Sequence, residues 1–89
     1  MNQTCIDVDV WCKYNGAPPT YRVYVDDELM TERTFVWNST NNYIREHIEV
    51  LVDRGVHELR IENCGGNHVE FITNNIMVNG KPAESKFTI

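Results

Sequence analysis

The chain has 89 residues, 42% hydrophobic and 24% charged, enough for one domain with one core spanning residues 1–89. A chain of this length buries roughly 60–65% of the surface its unfolded form exposes, which excludes barrels of alternating strands and helices, dinucleotide folds and deep catalytic clefts. The net charge of −5, with eight basic residues scattered singly, opposes a nucleic-acid partner, because a phosphate backbone calls for clustered Lys and Arg.

Ten Val and seven Ile against three Leu and two Ala, with seven Thr, favour strands, since branching at Cβ stiffens χ1 and suits a pleated surface. Thr4 to Tyr14 alternates, with Ile6, Val8, Val10, Cys12 and Tyr14 on one face and Cys5, Asp7, Asp9, Trp11 and Lys13 on the other. Asn15 to Pro19 is a loop, and Tyr21, Val23 and Val25 resume an inward face. Asp26-Asp27-Glu28 turns tightly into Leu29 and Met30. Thr34 to Trp37 reads as a further strand, ended by Asn38 to Asn42.

From Tyr43 to Val52 the apolar residues Ile44, Ile48, Val50 and Val52 hold the even positions, and Glu46 interrupts them. A helix is the competing reading, with Ile44, Ile48 and Leu51 at helical spacing. The strand is preferred because Asp53-Arg54-Gly55 leads at once into His57, Leu59 and Ile61, which completes a hairpin. After Asn63 to Asn67, Val69 and Phe71 alternate, Asn74-Asn75 turns into Ile76 to Val78, Asn79-Gly80 is a strong hairpin signal, and Phe87 to Ile89 forms a last strand. About eight short strands with turns between them predict an all-β, antiparallel two-sheet sandwich, jelly-roll-like in order.

No apolar run approaches the ~20 residues that span a bilayer. Met1 to Thr4 lack the basic start of a signal peptide, so the expectation is a complete cytoplasmic product with no membrane partner. An odd number of cysteines, Cys5, Cys12 and Cys64, points to reduced thiols.

Nucleophile, phosphate-loop and metalloprotease motifs are absent, so the chain is expected not to be an enzyme. His47, His57 and His68 fall in three different strands, none at ligand spacing from a cysteine; His57, after Gly55, is expected to hydrogen-bond at its turn. Asp7 with Asp9, and Asp26 to Glu28, read as a solvated strand face and a turn. The aromatic residues carry more. Trp11 shares a face with Asp7, Asp9 and Lys13, and Tyr24 shares one with Arg22 and Asp26, so both point away from the core. If residues 15–20 close a hairpin, Trp11 and Tyr24 stand opposite each other beside Arg22 and Lys13, as a platform for sugar rings or a protein partner. Trp37 and Tyr43, flanking the Asn-rich loop, are further stacking candidates. The alternative is that a neighbouring subunit or a folded-over loop covers these rings.

Tyr21 to Asp27, then Val56 to Asn63, then Ile76 to Gly80 resemble the small calcium-dependent xylan-binding modules, whose jelly-roll sandwich carries a V-D-G turn, a G-x-H hairpin and an I-x-V-N-G segment in that order. The likeness covers residues 21–83 and implies carbohydrate as partner, with Glu62 and Asn63 as calcium ligands. This chain departs from the family where Cys64-Gly65-Gly66-Asn67 replaces the acidic residue and loop ligands that should follow. The chain also resembles small structural proteins of tailed bacteriophages in overall character, which implies assembly with virion subunits and oligomerisation as the alternative function.

Overall fold

The computed structural model describes residues 2–36, 43–65 and 69–89, and these form two four-stranded antiparallel sheets facing each other. The strands are β1 (Asn2–Tyr14), β2 (Thr20–Val25), β3 (Glu28–Thr34), β4 (Ile44–Val52), β5 (Val56–Asn63), β6 (Val69–Val78), β7 (Lys81–Pro82) and β8 (Lys86–Thr88). One sheet has the order β4-β1-β6-β7 and the other β3-β2-β5-β8, so the all-β sandwich expected from the composition is the fold. No helix long and apolar enough to cross a membrane occurs among the described residues.

The alternation does what its period requires. Ile6, Val8, Val10 and Cys12 of β1 and Tyr21, Val23 and Val25 of β2 are buried, and with Phe35, Ile48, Leu59, Val78 and Phe87 they form one core between the sheets. Burial pushes the Cys12 thiol up to about 11, which keeps it protonated as a small apolar core residue.

The connections differ from the expectation at four places. β1 and β2 lie in different sheets, so residues 15–19 form an arch and not a hairpin. Pro18 and Pro19 supply no amide where a hairpin ladder would close, and the Pro19 carbonyl accepts instead from Phe35 N–H at 2.8 Å. That bond seats Phe35 in the core in place of the separate strand expected at Thr34 to Trp37; Thr34 ends β3. The link at residues 53–55 also crosses between sheets, and Gly55 exchanges two backbone bonds with Ile89, at 3.2 and 2.9 Å. Finally, Asn74-Asn75 is not a turn. β6 runs through it with one residue more than β1 between the pairs Asp7↔Met77 and Asp9↔Asn74, a bulge made by Asn75 at φ 54°.

The tight turns hold as expected. Asp26-Asp27 and Asn79-Gly80 both have positive φ at two successive residues, the conformation that matches the twist of a hairpin.

Glu46, which seemed to break the apolar pattern of β4, keeps its parity and is buried on the inner face. Its carboxylate accepts from the Tyr21 hydroxyl of β2 and from Arg33 of β3, so it ties the two sheets together along the β3/β4 edge. Burial and the neighbouring carboxylate hold the Tyr21 hydroxyl far above its ordinary pKa, so its proton stays in the bond.

Candidate functional site

Because β1 and β2 belong to opposite sheets, Trp11 and Tyr24 project from opposite outer faces of the sandwich, and the platform joining them does not form. Each finds different neighbours. On the β3-β2-β5-β8 face, Tyr24 lies between Leu29 and Arg60, whose guanidinium sits 4.0 Å from the ring centroid. Arg22 bonds Glu32 at 2.6 Å and reaches Glu62 at 4.0 Å, while Arg60 contacts Glu62 at 3.3 Å and Asp27 at 3.7 Å. Arg22 and Tyr24 are thus committed to a surface network of ion pairs and a cation–π contact.

The other outer face gathers the second set. Trp11 of β1 meets Tyr43, just before β4, with ring centroids 5.0 Å apart and planes inclined by 41°. Arg45 lies 5.9 Å from the Tyr43 centroid and donates two bonds to Asp9, at 2.8 and 3.3 Å. The Asn75 amide, aimed by the bulge, donates to the same carboxylate at 3.0 Å. Asp9 is consequently 1% exposed although it sits on an outer face, and the Arg45 bonds, outweighing the cost of burial, hold its carboxyl below the usual range. Ile72, directly opposite Trp11 on β6, is half exposed and extends the apolar surface beside the rings. The Asp9 carboxylate, the Arg45 guanidinium and the Asn75 amide thus form one bonded group beside the aromatic pair on this face. Trp37 lies outside the described residues.

Among the described residues, Glu62 and Asn63 do not converge on a calcium site. They are neighbours on one strand and face opposite ways; Glu62 points to Arg22 and Arg60, and the Asn63 side-chain oxygen accepts from Gly65 N–H at 2.8 Å. Calcium calls for six to eight convergent oxygens, and two guanidinium groups beside one of two donors repel it.

A second cluster lies on the same face as Trp11, at the other end of β1. The pairs Cys5↔Glu49 and Asp7↔His47 of the β1–β4 ladder bring together Cys5 Sγ, a ring nitrogen of His47 and a Glu49 oxygen, all within 4.8 Å of one another. His47 Nδ1 lies 2.6 Å from Asp7 Oδ1. No family model, curated protein or solved structure matches this chain. Its function is accordingly read from the two clusters themselves.

Sequence reasoning places Trp11 and Tyr43 among the candidates without pairing them, and it passes over Cys5, His47 and Glu49. A signal for the second cluster does exist. Cys5-x-Asp7 and His47-x-Glu49 are both period-two pairs on strands, and period two keeps each pair on one face. Only the β1–β4 register puts the two pairs side by side.

His57 sits where its turn position suggests. Its ring nitrogens lie 2.6 Å from Asp26 Oδ2 and 2.6 Å from the Asp53 carbonyl, clasping the turn after β2 to the link after β4. Both neighbours are acceptors, so both ring nitrogens carry protons, and the Asp26 bond raises the imidazole pKa. A concavity of about 500 Å³ lined by Lys81, Pro82, Phe87 and Ile89 lies away from the Trp11–Tyr43 pair, and its titratable groups are Lys81, Glu84 and Lys86.

Proposed function

We propose that the protein is a non-catalytic binding module that takes carbohydrate on the outer face of the β4-β1-β6-β7 sheet, over Trp11 and Tyr43. The observation that carries this reading is the ring pair itself, two amphipathic aromatics 5.0 Å apart on an outer sheet face, with Tyr43 43% exposed. Sugar rings present apolar C–H faces and peripheral hydroxyls, so they stack on such rings and need donors and acceptors alongside. Arg45 and Asn74 stand beside the pair on the same face and supply that rim. The likeness of residues 21–83 to xylan-binding modules supports the same ligand class, while Arg22, Tyr24, Glu62 and Asn63 have no part in this version of the site.

The test is a glycan array followed by titration calorimetry with xylan and related oligosaccharides, with and without calcium. Binding that falls at least about tenfold in Trp11→Ala and in Tyr43→Ala, and is indifferent to calcium, is expected, since one lost stacking contact is worth on the order of 1–2 kcal/mol. An array with no ligand above background, or binding unaffected by both variants, defeats the reading.

The second reading, a structural protein of a virion that acts through protein contacts, draws on the edge strands. β4 and β3 each terminate a sheet on the same side of the sandwich, and Leu51 at the end of β4 is 60% exposed. Size-exclusion chromatography with light scattering separates the two readings: a strict monomer counts against self-assembly.

A further inference from the structure

We propose that Cys5, His47 and Glu49 form a binding site for a divalent transition-metal ion, Zn²⁺ foremost, on the outer face of the β4-β1-β6-β7 sheet. Three features of the geometry support it, and none of them depends on the sugar reading.

The donor set is the first. A thiol, an imidazole and a carboxylate make a mixed S, N, O site of borderline softness, which selects Zn²⁺ and its neighbours over calcium or magnesium. With the thiol proton released to solvent, one thiolate and one carboxylate balance the two charges of the ion.

Spacing is the second. Cys5 Sγ lies 3.9 Å from Glu49 Oε1, and His47 Nε2 lies 3.5 Å from the same atom. Bond lengths of about 2.0–2.3 Å in a tetrahedral shell place ligand atoms about 3.3–3.8 Å apart, so two of the three separations are nearly met, and the third, between Cys5 and His47, is at most 4.8 Å. The fourth position stays open to water or an exogenous ligand.

Orientation is the third. The Asp7 carboxylate lies 2.6 Å from His47 Nδ1 and accepts its hydrogen bond, which turns Nε2 toward Cys5 and Glu49, where the ion takes the place of the Nε2 proton, released to solvent like that of the thiol. A carboxylate behind a histidine is the usual outer partner of a ligating imidazole. The backbone is equally fixed. Cys5 N–H donates to the Asn79 side chain at 2.9 Å and its carbonyl accepts from Asn79 N–H at 2.8 Å, so Cys5 is pinned in a central strand.

The test uses tag-free, fully reduced protein in a Cys64→Ser background, which removes the exposed thiol as a competitor. Zn²⁺ titrated by calorimetry is expected to bind one ion per chain, and Co²⁺ is expected to show a thiolate-to-metal charge-transfer band. Cys5→Ser should abolish that band, and Cys5→Ser and His47→Gln should each weaken Zn²⁺ by more than about a hundredfold, while Asp7→Asn keeps the band and weakens Zn²⁺ by about ten- to a hundredfold. Absence of the band, its survival in Cys5→Ser, or unchanged Zn²⁺ affinity in His47→Gln overturns the site. If Cys5→Ser does not fold, alkylation of the otherwise unaltered chain decides: Zn²⁺ must slow labelling of Cys5 and leave Cys64 unaffected, and equal labelling with and without Zn²⁺ overturns the site as well.

Discussion

Replacing Tyr21 by Phe removes one hydroxyl and leaves the ring volume of the core unchanged, so it isolates the bond that Tyr21 makes to Glu46. The Glu46 side chain is 3% exposed, with Tyr21 and Arg33 as its bonding partners. A hydrogen bond to a charged group contributes about 1.5–3 kcal/mol, and Arg33 remains to share the carboxylate, so the expected loss is about 2 kcal/mol. For a domain of this size that corresponds to a fall in Tm of about 8–16 °C. Glu46→Leu supplies the second arm of a double-mutant cycle. In that background the Tyr21 hydroxyl is a buried donor without its acceptor, and Tyr21→Phe becomes neutral or stabilising. Urea unfolding with linear extrapolation measures all four proteins, and the m-value should not change. The expected coupling is about 2 kcal/mol. Additivity within about 0.5 kcal/mol would refute the claim that this bond ties the two sheets together.

Stability should also depend on pH through His57. The Asp26 bond raises the folded pKa above the ordinary 6.5, so the stabilisation is fully present below 6.5 and is lost as pH rises through the folded value. Thermal melts from about pH 6 to about pH 9 should show this loss, and His57→Gln should reduce it, since His47, raised by its bond to Asp7, contributes in the same sense; an unchanged slope in that variant contradicts the imidazolium clasp. Asp26 moves the opposite way: burial raises it, but the bonds from His57 and from Glu58 N–H prevail, and its carboxyl ends lower than usual. Asn79→Ala loses the side-chain acceptor of Cys5 N–H and places a Cβ residue without a local hydrogen bond at φ 52°, an expected cost of about 2 kcal/mol in urea unfolding. Asn79→Gly restores the backbone freedom but not the bond, and should cost about 1 kcal/mol; a loss below about 0.5 kcal/mol for Asn79→Ala speaks against the clasp.

How much of the candidate sites was legible in the chain varies with how local the determining physics is. Trp11 is recognisable as an outward residue because β1 alternates without interruption. Its partner is not, since a strand read alone does not say which strand will lie beside it: the expected hairpin offers Tyr24, and only the pairing of β1 with β4 and β6 brings Tyr43. The same gap hides the cysteine–histidine cluster: Cys5 and His47 lie 42 positions apart and meet only in one register. Two apparent blemishes are devices of the tertiary structure. Glu46 reads as a break in an apolar face, because a carboxylate there is costly until Tyr21 and Arg33 surround it. Asn74-Asn75 reads as a turn, because asparagine tolerates positive φ, yet a bulge uses the same tolerance to aim Asn75 at Asp9.

Length, β-branched composition and period-two alternation were sufficient for the class of fold and for the inner face of β1 and β2, because side-chain direction along a strand is set by the backbone itself. The hairpins at Asp26-Asp27 and Asn79-Gly80 were local too, being written in residues that accept positive φ. Which links cross between the sheets was decided elsewhere, by the Phe35 bond to Pro19 and the Ile89 bonds to Gly55, partners 16 and 34 residues away. The candidate sites follow that division. Cross-sheet connectivity chose which side chains share a face, separating Trp11 from Tyr24 and joining it to Tyr43.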